Sequence, residues 1–211
     1  MKTEPGHIFS LNEEYHPLDD LTISGILSEK IHASVFSLGR NTDISKEAYG
    51  KDSFLFVLYQ EGRVFDKDMK AGDIIYLKKD TFAGKETKTG MVYLEFLFEK
   101  ENTFMNEKIK AGEVFALKDL LPYQEGKVIN LDVFHNDNGK MAVISMAKGT
   151  KLDEHKAPGQ ALLFILDGEG VIRYEGKECE VHKGDSFSFA KGGVHGVFAK
   201  TDFKFALVLE F

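Results

Sequence analysis

The sequence predicts an all-β chain in which one kind of domain is built twice. Short apolar runs of strand length recur along the 211 residues. They are bounded by Gly, Asp and Lys, as strands ending in turns are. The chain carries 18 Phe and seven Tyr, residues that favour strands and bury large areas. Three segments of its first half also align in order with segments of the second, which sets the domain count.

The repeat is clearest between Ser37–Gly62 and Ser145–Gly170, which align without a gap at an offset of 108. Ser37/Ser145, Leu55/Leu163, Phe56/Phe164, Leu58/Leu166, Glu61/Glu169 and Gly62/Gly170 are identical. Lys70–Asp73 matches His182–Asp185 at an offset of 112, and Gly6–Leu11 matches Gly112–Leu117 at 106. Drift of this kind is what changes of loop length between two copies produce. The expected domains are 1–98 and 111–211. The charged stretch 99–110 (Glu99–Lys110) would be a linker or a short helix.

Inside the second copy, Met141–Met146, Ala161–Leu166, Val171–Tyr174 and Phe205–Phe211 read as strands. Asp167-Gly168-Glu169-Gly170 is a hairpin signal, since Gly accepts the positive φ of tight turns. Glu178–His182 alternates, so Cys179 and Val181 should face inward and Glu178, Glu180 and His182 should face water. Lys118–Tyr123, with its proline, suits a brief turn of helix. In Ala161–Leu166 and again in Ser53–Leu58 both strand faces are apolar, whereas a free antiparallel sheet keeps one face polar. That pattern predicts domain-to-domain packing within the chain, with a homodimer through the same faces as the alternative.

Composition narrows the function classes. Hydrophobic residues make up 43% and charged residues 29%, as in ordinary globular proteins. A net charge of −7 argues against nucleic acid or an anionic membrane as partner. The N-terminal stretch lacks the apolar core of a secretory signal, and no run is long enough for a membrane helix. The single Cys179 cannot form an internal disulfide, which favours a reducing, cytoplasmic setting. Phosphate loops, dinucleotide fingerprints, HExxH and CxxC are absent from the sequence.

The stretch Gly149–His195 carries a resemblance. Gly149, His155 and Gly168 keep the spacing of the first cupin motif, and Gly184, Gly192 and His195 keep that of the second, with Ala190 in place of its proline. HKAPGQAL is similar to the HxAPxxAL of small conserved-barrel cupins. The resemblance implies two tandem cupin barrels of the double-stranded β-helix (jelly-roll) type. It also implies a site at the mouth of the second barrel. The family gathers three His and one Glu or Gln there around a divalent transition metal, Fe, Mn, Ni or Zn. Of those positions this chain keeps His155 and His195, while Ala157 and Ala161 stand at the other two. Gln160 lies one residue before the Glu position. Strand period turns it to the opposite face unless the Pro158-Gly159 turn shifts the register.

Two readings of the site follow. In the first, the second barrel binds a small molecule without metal, with His155, Gln160 and His195 as polar groups and Leu163 and Ile165 as walls. In the second, His155 and His195 hold a metal, completed by water, Gln160 or Glu154, in a dioxygenase, isomerase or sugar-modifying enzyme. A purely structural role is a third reading. His7, His16, His32, His135 and His182 lie outside the motifs. In the first copy Glu47, Tyr49, Ser53 and Ala83 take the places of His155, Ala157, Ala161 and His195. That barrel is therefore expected to be structural, with a small-ligand pocket at Glu47 and Tyr49 as the alternative.

Overall fold

The structure, a computed structural model, describes residues 4–211. It is nearly all β. Among the described residues helix is confined to Leu11–Glu14 and to the 3-10 turns Lys100–Asn102 and Leu117–Asp119, the last where a brief helical turn was expected. Among the described residues no helix is long and apolar enough to cross a membrane.

Two compact units form, and their boundaries cut across the sequence repeat. One comprises Leu11–Ala116; the other comprises residues 4–10 with Leu117–Phe211. This differs from the expected division at 98 and 111: the stretch 99–110, expected as a linker, falls within the first unit, and two short strands change places. Ile8–Phe9, at the head of the first copy, pairs antiparallel with Ser186–Phe189 of the second. Val114–Ala116, its counterpart at the offset of 106, pairs with Asp73–Leu77 of the first. A sheet edge offers an unpaired row of donors and acceptors that either equivalent segment can complete. The local pattern of two equivalent segments, which share Gly6/Gly112, Phe9/Phe115 and Leu11/Leu117, does not select between them.

Each unit has a broad sheet facing a narrower one. In the second unit the broad sheet runs Ile8–Phe9, Ser186–Phe189, Gln160–Asp167, Phe203–Glu210, Gly139–Met146 and Val128–Asn136. The narrower sheet runs Lys151–Lys156, Val194–Ala199, Glu169–Tyr174 and Lys177–His182. Their inner faces share one apolar cluster, with Leu163, Phe187 and Phe205 from the first and Ile172, Val181 and Val197 from the second. The first unit repeats this order with Val114–Ala116, Asp73–Leu77, Asp52–Val64, Met91–Phe98, Ala33–Leu38 and Thr22–Ser28. Opposite lie Thr42–Glu47 and Ala83–Thr87, which join the far end of Asp52–Val64.

Local expectations hold where turn chemistry or alternation set them. Gly168 has φ +77°, as its hairpin requires. Val181 is buried, Cys179 packs against the inner cluster and His182 is exposed. His135 is exposed too, on the strand Val128–Asn136.

Candidate functional site

The two motif histidines meet at the mouth of the second barrel. Lys151–Lys156 and Val194–Ala199 pair antiparallel, with His155 directly opposite His195. Their ring centroids are 4.3 Å apart and the rings are tilted by 52°. A β-bulge makes this possible. Leu152 pairs with Val197, both against the inner cluster, and the next paired residue on the first strand is His155. Strict alternation would turn His155 away from Leu152's side, three residues back. Asp153 and Glu154 together face the single Gly196, and the extra residue restores His155 to the inner side. A Cβ on Gly196 would lie 3.1 Å from the Leu152 carbonyl oxygen, a tight approach that would push the bulge by a few tenths of an ångström.

Both imidazoles are held by one nitrogen. Nδ1 of His155 lies 2.8 Å from the Asp153 carbonyl oxygen, and Nδ1 of His195 lies 3.2 Å from that of Gly193. A carbonyl only accepts, so each Nδ1 carries a proton, and in the neutral ring Nε2 presents a lone pair. His155 is exposed, whereas His195 is 8% exposed. Burial lowers the His195 pKa below the ordinary value, the Gly193 carbonyl bond raises it, and the nearby His155 lowers it again. His195 also stacks on Phe189, with centroids 4.0 Å apart and a 24° interplanar angle. Phe189 contacts Tyr174, which pairs across the strand with His195.

Of the other expected residues, Leu163 and Ile165 lie on the barrel's inner face, 1% and 4% exposed within the apolar cluster. Gln160 does not join them. Register runs unbroken from Gln160↔Glu210 through Leu163↔Leu207, so Gln160 shares a face with Leu162, opposite Ala161 and Leu163. The Pro158-Gly159 turn therefore does not shift the register. Phe189 and Tyr174 were missed from the sequence, although Phe189 lies between the glycines of the second motif.

The residues do not fit a four-ligand metal centre. The buried methyls of Ala157 and Ala161 stand at the second His and Glu positions. Glu154 forms an ion pair with Arg173 at 3.6 Å. No group of three or more His, Cys, Asp or Glu able to hold a metal gathers among the described residues. Two imidazoles are half of the family's ligand set.

Paired sheets closing over an apolar interior, with two imidazoles at one mouth, are the architecture of a double-stranded β-helix protein. Residues 142–209 match the model of the cupin domain. The structure is similar to the Cupin 2 conserved barrel domain protein from Leptotrichia buccalis: 26% identity, TM-score 0.84, covering 100% of this chain and 99% of that one. It also resembles a mutant of salicylate 1,2-dioxygenase from Pseudoaminobacter salicylatoxidans in fold, at 12% identity and TM-score 0.64, covering 97% and 83%. No curated protein matches the chain. Residues 142–209 thus form a cupin domain, and the whole chain shares the cupin fold of the Leptotrichia buccalis protein.

Proposed function

We propose that the second barrel is a binding module for a small molecule that combines a planar apolar body with hydroxyl donors. The observation that carries this is the shared state of the two imidazoles. With both Nδ1 atoms committed to backbone carbonyls, the two Nε2 lone pairs are acceptors at one mouth. The lowered pKa keeps His195 neutral, so it accepts from a ligand hydroxyl rather than attracting an anion. Phe189, buried beneath it, and the partly buried Tyr174 back that mouth with aromatic rings. Apolar walls with a few converging polar groups are the usual form of such sites.

A second reading, a metal-dependent enzyme, rests on the same two lone pairs, since neutral imidazole is a good ligand for Fe, Mn, Ni and Zn. The missing half of the ligand set weighs against it.

The test is thermal unfolding with catechol as probe, on wild type and on His155→Ala/His195→Ala. Binding to the native state alone adds about 2.7 kcal/mol at a hundredfold excess over Kd. A saturable rise that disappears in the double variant supports the binder. No rise in wild type, together with about one equivalent of transition metal retained by wild type and none by the variant, would replace it with the metal reading.

A further inference from the structure

Residues 4–9 do more than complete a sheet edge. Gly6 N–H donates to the Ser188 carbonyl and Ile8 pairs with Phe187. So held, Gly6 lies against the ring of Tyr174. A Cβ at Gly6 would stand 2.9 Å from Cδ1 and 3.0 Å from Cε1 of that ring, closer than side chains pack. The backbone there has φ +85°, which glycine adopts without strain. Gly193 approaches the same ring elsewhere: a Cβ there would meet Cε2 at 2.6 Å and the hydroxyl oxygen at 2.7 Å. Tyr174 is clasped between two glycine backbones.

From Tyr174 two routes lead to His195. Its ring contacts Phe189 with centroids 5.5 Å apart, and the imidazole stacks on Phe189. Its hydroxyl accepts from Ala190 N–H at 3.3 Å. Ala190 opens a turn closed by Gly193 N–H donating to the Ala190 carbonyl at 3.0 Å, and the Gly193 carbonyl accepts from His195 Nδ1. The platform under the imidazole and the carbonyl that fixes its proton both rest on one tyrosine.

The barrel of Leu11–Ala116 separates this arrangement from mere closure of an edge. Gly112 N–H donates to the Tyr76 carbonyl at 2.8 Å, and Val114 pairs with Ile75, as Gly6 and Ile8 do with Ser188 and Phe187. Gly112 has φ +76°, yet a Cβ there would meet only Phe65 Cε1, at an ordinary 3.4 Å. By register, Leu77 and Ala83 stand where Phe189 and His195 do. The edge is therefore closed without a clasped aromatic ring, and the clasp occurs in the barrel that keeps the histidines.

We infer that residues 4–9 form a positioning strap for the second barrel's site: resting on Tyr174, Gly6 fixes the orientation of the His195 ring, so that docking of the strap and occupation of the histidine mouth favour each other. Gly6 and Tyr174 are positioning residues, acting through Phe189 and the turn 190–193. Such coupling is reciprocal: a ligand at the histidines tightens the strap as much as the strap tightens the ligand. The ligand half of the inference rests on the binding proposed above. The orientation of His195 does not.

The experiment uses the full chain and compares wild type, Gly6→Ala and Gly112→Ala, the last placing the same backbone strain in the other barrel. Nitrogen NMR of the imidazoles near neutral pH reads the His195 tautomer without ligand, and titration with catechol reads affinity. Wild type is expected to hold His195 in the single Nδ1–H tautomer. Gly6→Ala is expected to mix the tautomers and to weaken catechol at least about fivefold, and Gly112→Ala to change neither. An unchanged His195 tautomer in folded Gly6→Ala overturns the inference, and so does an equal change in Gly112→Ala. If catechol does not bind wild type, the binding proposal falls, while loss of the single tautomer in Gly6→Ala still supports the strap and its retention overturns it. Should Gly6→Ala not fold, Gly6→Asn tolerates the positive φ better and still sets a Cβ against Tyr174. The same outcomes then decide.

Discussion

His155 and His195 face each other across neighbouring antiparallel strands with ring centroids 4.3 Å apart. One is open to water and the other is buried. Two imidazoles so close cannot both take a proton without repulsion, and the buried one yields first.

This relationship predicts a pH dependence. The folded pKa of His195 lies below its ordinary 6.5, so below that pH the unfolded chain binds more protons than the folded one. The stability linked to His195 is fully present above about 6.5 and is lost as pH falls through the folded pKa. Urea unfolding of wild type between pH 7.5 and 5 should show this loss. His195→Phe should flatten that part of the profile. An unchanged slope in the variant would assign the acid sensitivity to other groups.

In the first unit Lys85 Nζ lies 3.4 Å from Glu95 Oε1, with the two side chains 1% and 4% exposed, and this pair predicts unequal costs for single and double substitution. Lys85→Met leaves a buried carboxylate without its partner and should cost about 3–5 kcal/mol. Lys85→Val/Glu95→Leu should lie within about 1 kcal/mol of wild type, or above it. Glu95 is already raised by burial, and losing Lys85 raises it further. The Lys85→Met defect should therefore ease as pH falls and Glu95 takes a proton. A double variant as unstable as the single one would make the pair a structural element.

Removal of residues 1–9 tests the exchanged strand. Gly6 N–H donates to the Ser188 carbonyl at 3.0 Å, the Ser188 hydroxyl donates to the Glu4 carbonyl at 2.9 Å, and Ile8–Phe9 pairs with Ser186–Phe189. At about 1 kcal/mol per net bond, the loss should be about 2–4 kcal/mol. It should appear as faster amide exchange in 186–189, beside the His195 platform, with the strand Asp73–Leu77 unaffected.

Gly168→Ala tests the hairpin before the narrow sheet. At φ +77° an added Cβ would lie 1.9 Å from the Asp202 carbonyl oxygen. Backbone strain and displacement together should cost about 3 kcal/mol or more, seen as a lower urea midpoint at constant m.

Gly168 also marks what local chemistry could announce. Its hairpin, the strands around it and the inward turn of Val181 follow from period two and from the conformational freedom of glycine. Glu95 was passed over in the sequence, although it interrupts the apolar run Met91–Phe98 in phase with Tyr93. Its partner Lys85 sits in the polar-looking AGKET, and only pairing across the barrel buries it.

By itself the sequence determined the all-β class, the two copies, and the positions of His155 and His195, since each rests on spacing along the chain. The tertiary structure decided the rest. Which barrel each terminal strand completes depends on an open edge distant in sequence. Whether His155 can reach His195 depends on a bulge opposite Gly196, one residue of register that no spacing records. The protonation state of His195 and the cost of the Lys85–Glu95 pair depend on burial, which exists only once the sheets close over their apolar faces.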